Sequence, residues 1–193
     1  PFNYSYQSYV KPQVGINYFE NLLDQRNYVN TNLGFNLFDE LRLKLKTIDS
    51  SWSIEPKQSP FSSLSFSPFT FRVINNKNQA AMGAHLENGM LKQFDYINQH
   101  LTSPFRAPIL SLVIMLEKRK GGRLILFNKT KNPNIPVNID DKTFIDLEEG
   151  DLLLFHGGET YHAVEPIEGD GSRQTLGSFI NVVPETKTLE FWI

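Results

Sequence analysis

From Phe69 onward the sequence breaks into short apolar runs, each closed by glycine or another turn residue. The runs occupy 69–75, 81–87, 109–116 and 123–128, a weak stretch within 135–147, then 151–156, 161–167 and 173–183. Gly121-Gly122, Glu149-Gly150, Gly157-Gly158 and the "EGDG" at 168–171 punctuate them. Runs of this length, rich in branched and aromatic residues and flanked by turn formers, predict strands rather than helices. About eight short strands can bury their apolar faces only by closing on themselves or by stacking as two sheets. The expected fold is therefore mainly β.

The first half has a different period. In 14–30, Ile16, Phe19, Leu22 and Leu23 share one helical side, and in 34–49, Leu37, Phe38, Leu41 and Leu45 do. Both segments predict helices that pack against one side of the β core. Between them and the strands, Ser50–Phe69 is rich in serine and proline and reads as an irregular connection. No repeat period is evident. At 193 residues the chain is most economically one domain spanning 1–193, with a helical part over about 1–50 and a core over about 69–183.

Composition removes several functions. The net charge is −2, and the densest basic run, Glu117–Arg123, is short and sits at a glycine turn, so nucleic acid is not an expected partner. The chain has no cysteine, which excludes disulfides, thiolate nucleophiles and cysteine-bound metals and suits a cytoplasmic protein. No apolar run approaches the roughly 20 residues a membrane-spanning helix needs, so no membrane partner is expected. The first residue is Pro1 rather than methionine, which leaves a removed leader open.

Chemistry is confined to few residues. The histidines are His85, His100, His156 and His162. In "GAHLE", His85 and Glu87 are two apart, so an extended segment would point imidazole and carboxylate the same way. His162 lies on a later strand. Two imidazoles and one carboxylate on a β scaffold meet the requirement for a facial triad on iron(II). Alone, a His-x-Glu pair is a weak signal, and a satisfied polar residue at a strand start is the competing reading.

The wider pattern narrows this. His85-Leu86-Glu87, then "SLVIMLEKRKGGRLILF", then "EEGDLLLFHGG", then His162 with Arg173 eleven positions on, agree in order and spacing with one family. From Phe69 to Val183 the chain resembles the iron(II)- and 2-oxoglutarate-dependent dioxygenases of the compact prolyl-hydroxylase-like branch. The resemblance implies a double-stranded β-helix (jelly roll) with N-terminal buttressing helices. It implies His85, Glu87 and His162 as catalytic metal ligands for Fe(II). The co-substrate 2-oxoglutarate would chelate the metal through its C1 carboxylate and keto oxygen. Its distal carboxylate would meet Arg173, whose planar fork can pair both oxygens, and Thr175 would add a hydrogen bond.

The resemblance also implies the reaction: O2 is consumed, an unactivated C–H of an amino acid, peptide side chain or natural-product intermediate is hydroxylated, and succinate and CO2 are released. The family's usual acid is aspartate; Glu87 is a minority form whose extra methylene shifts the oxygen or the strand, and Asp95 is too distant to replace it. Related halogenases leave the carboxylate position to a small residue so that chloride can enter, and Glu87 fills it, which favours a hydroxylase. His156 reads as structural and His100 as a solvated loop residue. Arg72 and Asn75 lie near where the family contacts co-substrate or substrate, and packing or exposure explains them equally well. The same holds for Phe2, Tyr4, Tyr6 and Tyr9 as a lid. Residues 50–68 and 88–108 are the expected specificity segments. Two other readings stay open: a cupin-like metalloenzyme without 2-oxoglutarate, which would have no use for Arg173, and a non-catalytic jelly-roll binding module, which would have no use for the metal triad.

Overall fold

Short strands dominate the computed structural model, which describes residues 20, 23, 24, 26–28, 30–60, 63–76, 84–88, 91, 98–128 and 141–193. The expected helical start at 14–19, the aromatics of the first nine positions, Asp95 and the first part of 135–147 lie outside the described residues. Contacts group the chain into two compact units. One comprises Pro1–Pro68, Met90–Arg106 and Ile180–Ile193, and the other Phe69–Gly89 and Ala107–Phe179. No helix among the described residues is long and apolar enough to cross a membrane.

In the first unit, the described residues between 20 and 33 are helical, followed by α1, Leu37–Lys46. Asn36 caps α1: its side-chain oxygen accepts from the backbone N–H of Phe38 and Asp39 at 3.1 and 3.3 Å, satisfying donors the helix leaves orphaned. Asp39 and Glu40 in the first turn and Lys44 and Lys46 in the last complement the helix dipole. The stripe expected from spacing is buried at Phe38, Leu41 and Leu45, and Phe38 packs edge-on to Phe191 at 5.4 Å.

The serine- and proline-rich stretch is not wholly irregular. Its residues Ser53–Pro56 form β1, which pairs in parallel with β9, Thr188–Trp192. Neither strand was expected, because β1 carries no alternating apolar pattern and its partner lies at the other end of the chain. Just beyond β1, Lys57 is fully buried, and its Nζ donates to Glu190 at 2.7 Å and to the Ser103 carbonyl. Glu190 also accepts from Ser103 Oγ at 3.0 Å and from Asn181 Nδ2 at 2.7 Å. Asn181 in turn accepts from the Arg106 backbone N–H at 2.8 Å. Burial lowers the Lys57 pKa, and the Glu190 carboxylate opposes that shift. Lys57, with Asn181 held by Glu190 and with Asn98, thus satisfies the backbone of 103–106, a segment without regular structure.

The second unit carries two sheets. In one, β2 (Thr70–Asn75), β8 (Ser172–Val183, of which 172–179 belong here), β3 (Leu110–Glu117) and β6 (Leu152–Phe155) lie in the order β2-β8-β3-β6. In the other, β4 (Leu124–Phe127) is central, between β5 (Lys142–Ile145) and β7 (His162–Val164). The pairs β2–β8, β3–β6, β4–β5 and β4–β7 are antiparallel, in keeping with the expected jelly roll. The Gly121-Gly122 turn joins β3 to β4. Both glycines have φ near +70°, at 73° and 69°, and a side chain on Gly122 would come within 2.9 Å of Arg173 Cδ. The turn therefore needs glycine for backbone shape and for room beside that arginine. The strand expected at 81–87 is realised, among its described residues, as a single bridge at His85 followed by a short 3₁₀ turn at 87–88. Among the described residues of the weak stretch in 135–147, Lys142–Ile145 form β5.

Removing one partner of a buried charged pair costs about 3–5 kcal/mol, because the other is left desolvated and unpaired. Lys57→Met is therefore expected to lower the unfolding free energy in a urea titration by about 3 kcal/mol. Adding Glu190→Leu should recover part of that loss.

Candidate metal centre

His162 opens β7, and its backbone exchanges both hydrogen bonds with His85: His85 N–H to His162 O at 3.0 Å and His162 N–H to His85 O at 3.1 Å. Residues paired this way in an antiparallel ladder present their side chains on one face. The two imidazole rings accordingly lie side by side, with centroids 4.3 Å apart. Phe155, at the end of β6, packs edge-on to His162 at 5.0 Å.

Glu87 reaches the same point from the 3₁₀ turn. Its backbone N–H bonds the Gly157 carbonyl at 3.0 Å, which draws 85–88 against the end of β6. The approach is close enough that a side chain on Gly157 would overlap Ser111 Oγ, 1.9 Å away, and press on Glu87 Cγ at 3.1 Å. Only glycine allows it. Glu87 Oε1 then lies 3.3 Å from His162 Nε2 and 3.6 Å from His85 Nε2.

The donor chemistry of this cluster fits a cation. His162 Nδ1 lies 2.9 Å from the Thr160 carbonyl, which can only accept, so Nδ1 carries the proton. With Nδ1 so engaged, Nε2 faces the Glu87 oxygen. Two electron-rich atoms at that distance need a proton or a metal between them. Burial pushes the Glu87 carboxyl up, but hydrogen bonds with His162 and then His85, together with the positive potential of His162 and Arg72, outweigh it and hold the pKa at about 2. Glu87 is thus ionised despite being only 3% exposed. One ligand atom from each of His85, Glu87 and His162 lies within 4.8 Å of the others, a grouping that could hold a metal ion. Adjacent positions on an octahedron with bonds of about 2.1 Å are about 3 Å apart, so the two contacts to Glu87 are near what such a site requires. His85 keeps 35% of its side chain exposed, leaving one side of the cluster open.

Arg173 and Thr175 are both buried on β8 and face the same cavity as Glu87 and His162. Arg173 is 4% exposed, and its Nε donates to nothing among the described residues. Burial, with Arg72 as a like charge nearby, lowers its pKa to about 10, so it stays charged near neutral pH. A buried guanidinium without a carboxylate is costly unless an anion arrives, and a dicarboxylate co-substrate carries a group of that kind. His156 is exposed in the turn after β6, and His100 is exposed as well. Asn75 pairs with Ser172 at the end of β2 and does not line the cavity among the described residues.

Of two further cavity residues, the sequence left Arg72 open between a site contact and packing and did not single out Ser111. Arg72 pairs with Thr175 across β2 and β8 and so lies on the cavity wall. Ser111 lines the same cavity with a buried hydroxyl that has no partner among the described residues. Its signal was present: Ser111 is the one polar residue inside the apolar run 109–116.

Compared with known protein families, residues 33–193 match the family described as carrier-protein-independent halogenase WelO5. The chain belongs to the WelO5 family. That membership agrees with the iron(II)- and 2-oxoglutarate-dependent resemblance read from the motifs. No match to the chain is found among curated proteins. Among solved structures, an N-substituted L-amino acid dioxygenase from Burkholderia ambifaria AMMD is similar at 16% identity and TM-score 0.48, over 67% of this chain and 55% of that one. The same enzyme in complex with alpha-KG is similar at 15% identity and TM-score 0.45, over 68% of this chain and 54% of that one. The WelO5-family chain thus spans little more than half the length of those structures.

If the cluster is a metal site, it depends on both imidazoles. His85→Ala and His162→Ala are each expected to lose about one equivalent of bound Fe(II) or Mn(II), measured by metal analysis after anaerobic loading. Undiminished binding in both variants would remove the site from consideration.

Proposed function

We propose that this protein is an Fe(II)/2-oxoglutarate-dependent dioxygenase that hydroxylates an unactivated C–H of a small molecule or peptide side chain. The observation carrying the proposal is a cluster of three metal-donor groups, two of which, Glu87 and His162, line one cavity with Arg173, a buried arginine whose Nε has no partner among the described residues. The metal would be held by His85, Glu87 and His162, and the co-substrate's distal carboxylate by Arg173 with Thr175 beside it. When bound, iron and 2-oxoglutarate supply the oxidation of substrate by O2, with succinate and CO2 released.

The chain's own contribution is positional and electrostatic. Thr160 holds His162 in the tautomer that offers Nε2. Gly122 leaves room for the stem of Arg173, and Gly157 lets Glu87 approach. Leu112, Val113, Leu124, Phe155, Val164 and Phe179 give the cavity apolar walls, which exclude water and strengthen each charged contact. A cupin-like enzyme without 2-oxoglutarate, or a non-catalytic binding module, would leave the buried charge of Arg173 without a purpose. The cysteine-free composition supports a cytoplasmic location.

Family membership favours a second reading, a halogenase. Glu87 argues for oxygen insertion instead: its ionised, buried carboxylate fills the position that a halide would need and repels it. The amino acid, peptide or natural-product identity of the substrate is best sought by a succinate-release screen.

Two measurements test this. Arg173→Ala is expected to weaken 2-oxoglutarate binding to metal-loaded protein by about 2–5 kcal/mol while leaving metal affinity nearly unchanged. Equal co-substrate affinity would reassign the arginine to a structural role. Turnover in chloride and in bromide buffer should give the same product, heavier by one oxygen atom. A halogenated main product from unmodified protein would establish the second reading.

A further inference from the structure

An unguarded strand edge lies outside the roles proposed so far. β6 ends the order β2-β8-β3-β6, and among the described residues no strand pairs with its outer side. Its sequence, Leu152-Leu153-Leu154-Phe155, holds none of the charges or prolines that keep exposed edges apart. The phase of the ladder shows what that edge offers. The Met115 N–H donates to the Asp151 carbonyl at 3.0 Å, and the register pairs Val113 with Leu153 and Ser111 with Phe155. Hydrogen-bonded positions alternate in an antiparallel pair, so 151, 153 and 155 turn their backbone groups to β3. Leu152 and Leu154 turn theirs outward. The same two residues are 40% and 42% exposed, and Leu116 of β3 is 39% exposed. Phe155 lines the cavity, so Leu152 and Leu154 stand on the opposite face of the sheet.

We propose that this edge joins two copies of the chain, β6 against β6, across a two-fold axis at Leu153. Leu152 then lies opposite Leu154 of the second copy. That register satisfies the outward N–H and C=O groups of both residues in both copies and covers the exposed leucines with one another. A self-pairing edge of this kind closes, so it gives a dimer and not a fibre. Charge favours the antiparallel sense. The exposed Glu148, Glu149 and Asp151 precede β6 and the exposed His156 follows it, so antiparallel pairing sets each acidic end beside the histidine of the other copy. Parallel pairing would stack acid on acid. With 4 residues in the strand, the pairing itself falls short of the roughly 1,000 Å² typical of a stable interface. The dimer is accordingly weak, with a Kd on the order of 10–100 μM. It needs neither metal nor co-substrate and so stands apart from the dioxygenase reading.

The test is sedimentation velocity of the full chain between about 5 and 500 μM, with monomer expected at the low end and dimer at the high end. Leu154→Lys, at a position already exposed, should raise the dissociation constant by about tenfold or more. Leu43→Lys, at an exposed position of α1, should leave it unchanged. Adding Leu152→Glu to Leu154→Lys should restore the dimer, since each new acid then faces the new base of the other copy. The chain has no cysteine, so Leu153→Cys introduces a single thiol. The two-fold sets its two Cα atoms about 4.5 Å apart, within disulfide range, and mild oxidation should cross-link the dimer, whereas Leu43→Cys should not. A monomer at every concentration overturns the proposal. So does a dimer that Leu154→Lys leaves intact, or one showing neither the rescue nor the cross-link. Thermal unfolding checks that each variant is folded; if Leu153→Cys is not, the Leu152→Glu/Leu154→Lys rescue decides the register.

Discussion

The reciprocal backbone hydrogen bonds between His85 and His162, 3.0 and 3.1 Å long, hold together segments separated by most of the core. Because paired residues in an antiparallel ladder share a face, that one pair brings the imidazoles side by side without requiring a strand around His85. Glu87 then needs only the short turn after it. The bond from its backbone to Gly157, and the absence of a side chain there, set how near the carboxylate comes. The geometry is held by backbone, which is stiffer than any side-chain contact could make it.

Charge organises the rest of the cavity. The Glu87 carboxylate and the two imidazoles of His85 and His162 make a concentrated set of metal donors. Arg173 is the converse, a buried cation whose Nε finds no acceptor among the described residues. Both arrangements are unfavourable in isolation, since desolvated charge is costly unless compensated. Under the proposed function both would be relieved by one pair of ligands, a divalent metal and a dicarboxylate. The site is therefore ready for ligands at some cost to stability, as functional sites often are.

The other unit solves the opposite problem. Lys57 is also a buried charge, paired with the half-buried Glu190, but Ser103, Asn181 and the 103–106 backbone satisfy their hydrogen bonds internally. Such a closed polar network positions chain and has nothing left to offer a ligand. The contrast between a closed network and an open one separates structure from function here more sharply than burial or residue type does.

Much of this was legible in the sequence because it is local. Run length and glycine punctuation marked β2, β3, β4, β6 and β8, and the spacing of Phe38, Leu41 and Leu45 marked α1, since period and turn chemistry act over a few residues. The order of His85, Glu87, His162 and Arg173 marked the donor cluster and the arginine beside it for the same reason: each lies in a motif readable on its own. The pairing of β1 with β9, the knot around Lys57 and the inward turn of Arg72 were not legible. Each depends on a partner far along the chain, and no local pattern records which distant backbone will lie alongside. The extended strand expected through 81–87 was a local inference that tertiary contact overrode, since one bridge to His162 and one bond to Gly157 suffice to aim both side chains. The sequence by itself determined which residues could do chemistry. Tertiary structure decided which of them share one cavity, because burial and long-range backbone pairing act only once the chain has closed on itself.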